Sequence, residues 1–291
     1  SQEGLALKIL AFESSAKAAS TALLSDGLLL AEYTQNSGQT HSRTLMQMAE
    51  NLLKTCDLEP QDIDACAVAD GPGSFTGVRI GVAAAKGFSW GRELPCYGVS
   101  TLEAMARGAA ITDGVFCCCM DARRAQVYNA VFEKTGSELV RLREDRAISL
   151  DDLCEDLQNI EKTIFLVGDG AEEALRFLDS ETGRAILSGC RVLREKPFEI
   201  RMDEDGQMRL VQGVIDLMVL TESGAVLVDY KTDHTGLSEE EVRAKHGLQV
   251  NLYRQAAERA GIAVERCEVY LFFTGKSVEI RPGDGEREEK A

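Results

Sequence analysis

DGPGSFTGVRIG, residues 70–81, decides the fold class of this chain. The run IDACAVA, residues 63–69, precedes it with the apolar character of a strand, and VRIGVAAAKGF, residues 78–88, continues it as a helix. A strand, a glycine-rich turn and a helix in this order predict an α/β unit. Backbone N–H groups also cradle phosphates at such turns, so a nucleotide site and a tight turn are both open interpretations.

The glycine spacing favours a packing surface over a phosphate site. The stretch lacks the G-K-[ST] ending of a P-loop and the G-x-G-x-x-G spacing of a dinucleotide site, so we predict no cofactor-binding residue there. Gly77, Gly81 and Ala85 fall at i, i+4 and i+8, which strips one helix face of side chains. A second helix could approach that face closely, with Val78 sealing its edge. We therefore predict a partner-binding surface at these four residues, with nucleotide binding as the alternative.

Composition indicates an acidic globular protein. Of the 291 residues, 44% are hydrophobic and 27% charged, and the formal net charge is −16. This charge argues against loose, charge-driven binding to nucleic acid, although a local site stays open. The apolar runs are shorter than the roughly 20 residues that span a bilayer, and the start has no signal-peptide pattern. The nine cysteines form no C-x-x-C pair, so we expect reduced thiols, a cytoplasmic location and no membrane partner.

The pattern of elements changes near residue 172. Before it, three short strands, a helix, the glycine stretch and further strands alternate, which predicts a mixed sheet flanked by helices. After it, the sequence predicts a helix over 172–187, three strands, a long helix over 237–260 and a last strand. We therefore predict domains at 1–172 and 173–281, followed by a disordered charged tail at 282–291.

A hairpin in the second part carries the sharpest chemistry. GVIDLMVLTESGAVLVDYKTD, residues 213–233, is two strands around a Ser-Gly turn, and two registers are open. Either one places Asp216 near Asp229 and Lys231, which share one face of their strand. Two carboxylates can hold Mg²⁺, and a lysine can orient a water molecule or neutralise a phosphate. A surface salt bridge is the alternative, but the apolar neighbours predict a central strand where charges are costly.

These residues resemble the PD-(D/E)XK nuclease domain at the C-terminus of AddA and the related RecB, components of bacterial helicase–nucleases that process DNA breaks. The similarity covers about residues 174–280 and includes QVNLY at 249–253. It implies a restriction-endonuclease-like α/β core without the N-terminal portion of that domain. DNA as substrate and an AddB-like partner would accompany it.

The same resemblance implies roles for single residues. Asp216 and Asp229 would bind magnesium and Lys231 would be the catalytic lysine. Gln249 and Tyr253 would support them from one helix face. Glu195 matches an acidic residue before the core sheet, although an exposed strand charge is an equal reading. One departure is that the family's upstream histidine ligand is missing, because no histidine lies between positions 41 and 234.

The first part resembles the TsaB (YeaZ) family of the actin-like superfamily. The similarity rests on ILAFESS, THS, GPGSFTGVRIG, GVSTLEAMA and MDARRAQVY, and it covers about residues 7–172. It implies an actin-like (ASKHA, ribonuclease H-like) lobe whose C-terminal portion is missing. A glutamate, Glu13, stands where the first strand usually carries aspartate.

The resemblance to TsaB implies a non-catalytic subunit. Such a subunit dimerises with the TsaD paralogue, or with itself, through the glycine-rich helix and supports N6-threonylcarbamoyladenosine formation at position 37 of tRNA. The sequence therefore favours a fusion of the two families, and it leaves open which function survives. The candidates are this subunit role, which the larger matched region favours, a Mg²⁺-dependent DNA nuclease, and a fusion in which neither half is fully active.

Overall fold

The computed structural model describes residues 6–123, 126–204, 207–232 and 236–285, without the side chains of residues 203 and 204. The chain forms two compact units. The N-terminal unit comprises Ser1–Ala122, Tyr128–Ala147 and Lys162–Gly170. The C-terminal unit comprises Arg123–Val127, Ile148–Glu161 and Ala171–Ala291. The chain therefore passes between the units more than once.

A five-stranded mixed sheet forms the first half of the N-terminal unit. Its strands are β1 (Lys8–Glu13), β2 (Ala19–Ser25), β3 (Leu28–Gln35), β4 (Ala65–Gly71) and β5 (Cys96–Ser100), in the order β3-β2-β1-β4-β5. The first three strands form an antiparallel meander, and β4 and β5 extend it in parallel with β1. The predicted meander and the predicted mixed sheet are confirmed.

Two helices build the core on one face of this sheet. They are α1 (His41–Thr55) and α2 (Phe75–Trp90). Alternate strand residues point toward them, because side chains along a strand alternate between its two faces. Leu10, Phe12 and Leu23 are buried against Leu45 and Phe88. A third helix, α3 (Thr101–Ala109), contacts β4 and β5.

A second sheet completes the N-terminal unit. Its strands are β6 (Gly114–Arg123), β7 (Gln126–Thr135), β8 (Glu138–Ser149) and β9 (Ile164–Val167), in the order β8-β7-β6-β9. The three consecutive cysteines at 117–119 are buried in β6, and all nine cysteines of the chain are free thiols.

The C-terminal unit is a sheet between two layers of helices. Its strands are β10 (Arg191–Glu204), β11 (Gln207–Leu220), β12 (Ala225–Lys231), β13 (Val264–Leu271) and β14 (Lys276–Glu279), which are hydrogen-bonded in chain order. Its helices are α4 (Leu150–Leu157), α5 (Ala171–Leu178), α6 (Glu181–Leu187) and α7 (Glu239–Arg259). Only β12 and β13 pair in parallel, and α7 connects them. The predicted α/β fold class is confirmed for both parts of the chain.

The helices of the two layers pack against opposite faces of the sheet. Helix α7 packs Val250 and Tyr253 against Leu227 and Val269 of the sheet. On the α5 side, the Phe177 ring meets the Tyr270 ring edge-on, with centroids 5.1 Å apart. The single helix predicted over 172–187 is two helices, because the Ser180 hydroxyl caps α6 by accepting a hydrogen bond from the Gly183 N–H.

Helix α4 belongs to the C-terminal unit although it lies before the predicted boundary at 172. Arg194 on β10 holds it through ion pairs with the buried Asp151 and with Asp152 and Glu155. Residues 162–170 return to the N-terminal unit. A single cut at 172 therefore does not separate the two compact units.

At the other end, part of the expected disordered tail is ordered. The backbone N–H of Asp284 donates to the Arg281 carbonyl, and Asn251 of α7 donates to the Asp284 carbonyl at 3.0 Å. The rest of the tail, residues 286–291, lies outside the described residues.

Candidate functional site

The β11–β12 hairpin brings the predicted acidic residues together. Leu217 pairs with Val228 and Leu220 pairs with Ala225, which selects the register in which Asp216 comes opposite Asp229. The Tyr230 N–H donates to Asp216 Oδ2 at 2.9 Å and fixes that side chain beside β12. Of the two registers that the sequence left open, this one is therefore confirmed.

Asp229 is the centre of the candidate site. Its side chain is 0% exposed, and its Oδ2 lies 2.7 Å from Lys231 Nζ. Its Oδ1 accepts hydrogen bonds from Gln249 Nε2 at 3.1 Å and from the Tyr253 hydroxyl at 3.2 Å. Gln249 Nε2 also donates to the Tyr253 oxygen at 2.6 Å. Four of the predicted site residues therefore share one contact network.

Local sequence explains how the strand and helix deliver these groups. Val226, Leu227 and Val228 are buried because β12 is the middle strand of the sheet. Two-residue spacing then places Asp229 and Lys231 on the α7 side. In α7, Ser238 and Glu241 form a capping box at the N-terminus, and the i,i+4 spacing of Gln249 and Tyr253 aims both at Asp229.

Two residues that support the site through Tyr253 were not predicted from the sequence. The Phe198 ring packs edge-on against Tyr253, with centroids 5.8 Å apart. Gly213 on β11 makes room for it, because a Cβ at Gly213 would lie 2.6 Å from the Phe198 ring. The only sequence signals were a glycine in a strand and a phenylalanine after a proline, neither of which specifies a partner.

The electrostatics of the site favour an added cation. Burial raises the pKa of Asp216, and the neighbouring Asp229 carboxylate raises it further against the opposing hydrogen bond from Tyr230. Burial and the same carboxylates raise the pKa of Tyr253 well above its usual value. Two carboxylates therefore face one ammonium in a largely buried place.

The donor set fits a hard divalent ion. Mg²⁺ commonly uses one or two carboxylates and keeps several waters. Asp229 Oδ2 is buried and accepts no hydrogen bond, its close contact being the ion pair with Lys231. Within the described part of the chain, no group of three histidine, cysteine or acidic side chains is arranged to hold a metal. Asp216 and Asp229 are therefore the residues that would hold such an ion.

Glu195, the remaining residue predicted to support the site, does not join this cluster. Glu195 lies on β10 between Arg194 and Lys196, which pair with Leu217 and Ile215 on either side of Asp216. Its side chain is exposed, and its backbone adopts φ 45°. The histidine at position 234 lies outside the described residues.

The glycine stretch of the N-terminal unit packs inside its own unit. The Ser74 N–H donates to the Ser15 carbonyl at 2.7 Å, and the Ser74 side chain caps α2. A Cβ on Gly77 would lie 2.1 Å from the Ser14 carbonyl oxygen, and one on Gly81 would lie 2.6 Å from Ser14 Oγ. Ser14, the residue that follows β1, therefore occupies the bare helix face.

The helix face that was predicted to bind a partner therefore lies inside the N-terminal unit. Gly77, Gly81 and Ala85 are buried, and Val78 is half-buried. The opposite face of α2 is the one open to solvent. It carries a single stripe at helical spacing: Phe75, Arg79, Ala83, Lys86 and Trp90.

That exposed stripe has large apolar side chains. Phe75 is 70% exposed and Trp90 is 87% exposed. The Arg79 guanidinium carbon lies 3.8 Å from the centroid of the Phe75 ring. Aromatic and arginine side chains are the types that concentrate binding energy at protein interfaces.

Comparison with known proteins finds two families in the chain. The family model described as TsaD, tRNA N6-adenosine threonylcarbamoyltransferase, matches residues 29–175. The model of the PD-(D/E)XK nuclease superfamily matches residues 129–290. Residues 129–175 are therefore matched by both.

Individual relatives repeat this division. The tRNA threonylcarbamoyladenosine biosynthesis protein TsaB of Bacillus subtilis (strain 168) is 36% identical over 226 residues, which cover 77% of this chain and 99% of that protein. TsaB of Escherichia coli (strain K12) is 34% identical, covering 63% of this chain and 80% of that protein. An ATP-dependent helicase/nuclease subunit of Thermoanaerobacter sp. (strain X514) is 30% identical, covering 46% of this chain and 12% of that protein.

The similarity to TsaB and the predicted domain boundary do not coincide. The 226 aligned positions of the Bacillus protein outnumber residues 1–172, so that similarity continues beyond the predicted boundary. No helix within the described ranges is long and apolar enough to cross a membrane.

Proposed function

The chain belongs to the TsaB family and also carries a PD-(D/E)XK nuclease segment, and from this premise we propose a tRNA-modification role for its N-terminal unit. In this role the unit is a non-catalytic subunit that pairs with a TsaD-like paralogue and supports N6-threonylcarbamoyladenosine formation at position 37 of tRNA. A cytoplasmic location follows from that role. The observation that carries the proposal is the 36% identity with Bacillus TsaB over 99% of that protein's length.

The exposed stripe of α2 is the surface we assign to the partner. Phe75 and Trp90 stand at its two ends, 15 residues apart, which is about 22 Å at 1.5 Å per residue. Ala83 lies between them and lets another helix approach. The stripe also supports self-association, so a homodimer is the competing outcome.

Co-purification tests this surface. Tagged chain carrying Trp90→Ala or Arg79→Glu should retain less TsaD-like partner than the unchanged chain, by about tenfold or more for a central anchor. Ile111→Ala is the matched control, since Ile111 is 92% exposed and is not part of α2. Full retention by both α2 variants, or a complex only between copies of this chain, would contradict the assignment.

The geometry around Asp229 supports a second candidate function in the C-terminal unit. Here we propose a Mg²⁺-dependent phosphodiesterase that acts on DNA, with an AddB-like protein as a partner. The observation that favours it is the convergence of Asp216, Asp229, Lys231 and Gln249 at the end of a buried strand pair. When bound, the ion would supply Lewis acidity toward a phosphate and a more acidic water.

The chain's own groups have separable tasks in that reaction. Asp216 and Asp229 would hold the ion beside the neighbouring strands β11 and β12. Gln249 and Tyr253 fix the orientation of the Asp229 carboxylate through Oδ1. Lys231, whose side chain is 21% exposed, is the cation that can face a phosphate oxygen or orient a water.

Degradation of linear DNA tests this candidate. The chain should degrade an end-labelled duplex with Mg²⁺ and not with EDTA, and Asp229→Asn or Asp216→Asn should abolish the activity. Glu222→Gln at the exposed hairpin tip is the matched control, because it removes one carboxylate from the same hairpin without touching the site. A folded chain that leaves DNA intact under these conditions would exclude the nuclease function.

A further inference from the structure

The two oxygens of Asp229 have different partners. Oδ1 accepts hydrogen bonds from Gln249 and Tyr253, at 3.1 and 3.2 Å, and both donors come from α7. Oδ2 is buried and accepts no hydrogen bond, but Lys231 Nζ lies 2.7 Å from it. Oδ2 is therefore the oxygen that a metal ion could bind, and it is the oxygen that the Lys231 ammonium is paired with.

Burial makes this ammonium necessary when no other cation is present. The Asp229 side chain is 0% exposed, and a buried carboxylate without a counterion is strongly disfavoured. Lys231 lies two residues after Asp229 on β12. Among the described residues, it is the cation in contact with Asp229. It consequently neutralises the same charge that a divalent ion would neutralise.

A second acceptor lies beside the ammonium. Gln249 Oε1 is 3.4 Å from Lys231 Nζ, while the amide nitrogen of the same side chain is held by Asp229 and Tyr253. The ammonium can therefore leave Asp229 Oδ2 and remain hydrogen-bonded to Gln249. Since Lys231 is partly exposed, this movement needs no opening of the core.

From these contacts we infer that Lys231 competes with the divalent cation for Asp229 Oδ2 and so sets the metal affinity of the site. The ion binds when the ammonium moves from Asp229 to Gln249. This inference rests on the proposed metal site, and it gives Lys231 a role in metal binding in addition to its role toward the phosphate.

Mn²⁺ titration by calorimetry on the full chain tests the competition. Lys231→Met should lower the Kd for Mn²⁺ by about tenfold or more, because the ion no longer has to break a close charge pair. Lys276→Met is the matched control. Lys276 lies in the same cross-strand row, two strands away and therefore about 10 Å from Lys231. Its replacement removes the same charge without uncovering Asp229.

The outcomes separate this inference from the metal site itself. Unchanged or weaker Mn²⁺ binding by Lys231→Met, or an equal gain in Lys276→Met, would overturn the competition and leave the site standing. Saturable binding that persists in Asp216→Asn, or no binding by any variant, would overturn the metal site. A second measurement uses the unchanged chain, in case Lys231→Met does not fold. The ¹⁵Nζ signal of Lys231, assigned by its loss in Lys231→Arg, should shift as Mg²⁺ saturates the protein, and a signal that stays in place overturns the inference.

Discussion

Replacing Gly77 by alanine should distinguish packing within the N-terminal unit from binding of a partner. The new Cβ would lie 2.1 Å from the Ser14 carbonyl oxygen and 3.3 Å from the Ser14 carbonyl carbon. Both are backbone atoms of the residue that follows β1, so they can yield only if α2 and the end of β1 separate. Overpacking of this kind costs about 3 kcal/mol. We therefore expect Gly77→Ala to lower the free energy of unfolding of the N-terminal unit by about that amount.

Gly87 provides the matched control on the same helix. A Cβ there would meet nothing within 4 Å, so Gly87→Ala should gain about 0.5–1 kcal/mol from the better helix propensity of alanine. The two substitutions are chemically identical, and their effects should therefore differ by about 4 kcal/mol in opposite directions.

Hydrogen exchange measured by mass spectrometry in increasing urea gives the required local free energies. Peptides from α2 and β1 report on the N-terminal unit separately from the rest of the chain. If Gly77→Ala unfolds within about 0.5 kcal/mol of the unchanged chain, the close approach to Ser14 is absent and the bare helix face is available to a partner after all.

Two further predictions concern the C-terminal unit. Arg194→Met should destabilise this unit by about 3 kcal/mol, because it leaves the buried Asp151 without its cation. Arg191→Met on the same strand should change the stability little. Urea unfolding compares the two variants, and equal effects would refute the reasoning. Burial raises the pKa of Glu268, so between the ordinary and the raised pKa the native state binds more protons than the unfolded state. Stability should therefore be full below the ordinary carboxyl pKa and fall as pH rises through the raised one. Glu268→Gln should flatten that slope above the ordinary carboxyl pKa, and an unchanged slope would contradict this.

Local patterns were sufficient for the parts of the fold that depend on near neighbours. The hairpin around Ser223 and Gly224 and the central position of β12 follow from apolar strand runs around a turn. The i,i+4 pair of Gln249 and Tyr253 likewise follows from helix geometry. The hairpin register did not follow, because the turn permits two pairings and only the packed sheet selects between them.

Long-range partners explain what the sequence analysis missed. Glycine spacing correctly indicated that something approaches α2 closely, but the approaching group is Ser14, which lies 63 residues before Gly77. Phe198 and Gly213 meet only because β10 and β11 pair. Glycines thus report the closeness of a contact without its identity, and a docking surface has to be sought among exposed side chains.

The doubly matched segment at 129–175 shows how the two families are joined in one chain. Both family models match it, and the two compact units divide it: residues 129–147 and 162–170 lie in the N-terminal unit, while residues 148–161 and 171–175 lie in the C-terminal unit. Residues 148–161 contain α4, and Arg194 on β10 forms ion pairs with Asp151 and Glu155 of this helix. Removal of α4 would therefore leave a buried part of the nuclease-like unit uncovered. The nuclease-like unit thus depends on residues that lie before the point where the TsaB-like pattern ends. For this reason, the two halves cannot be treated as independent modules joined end to end.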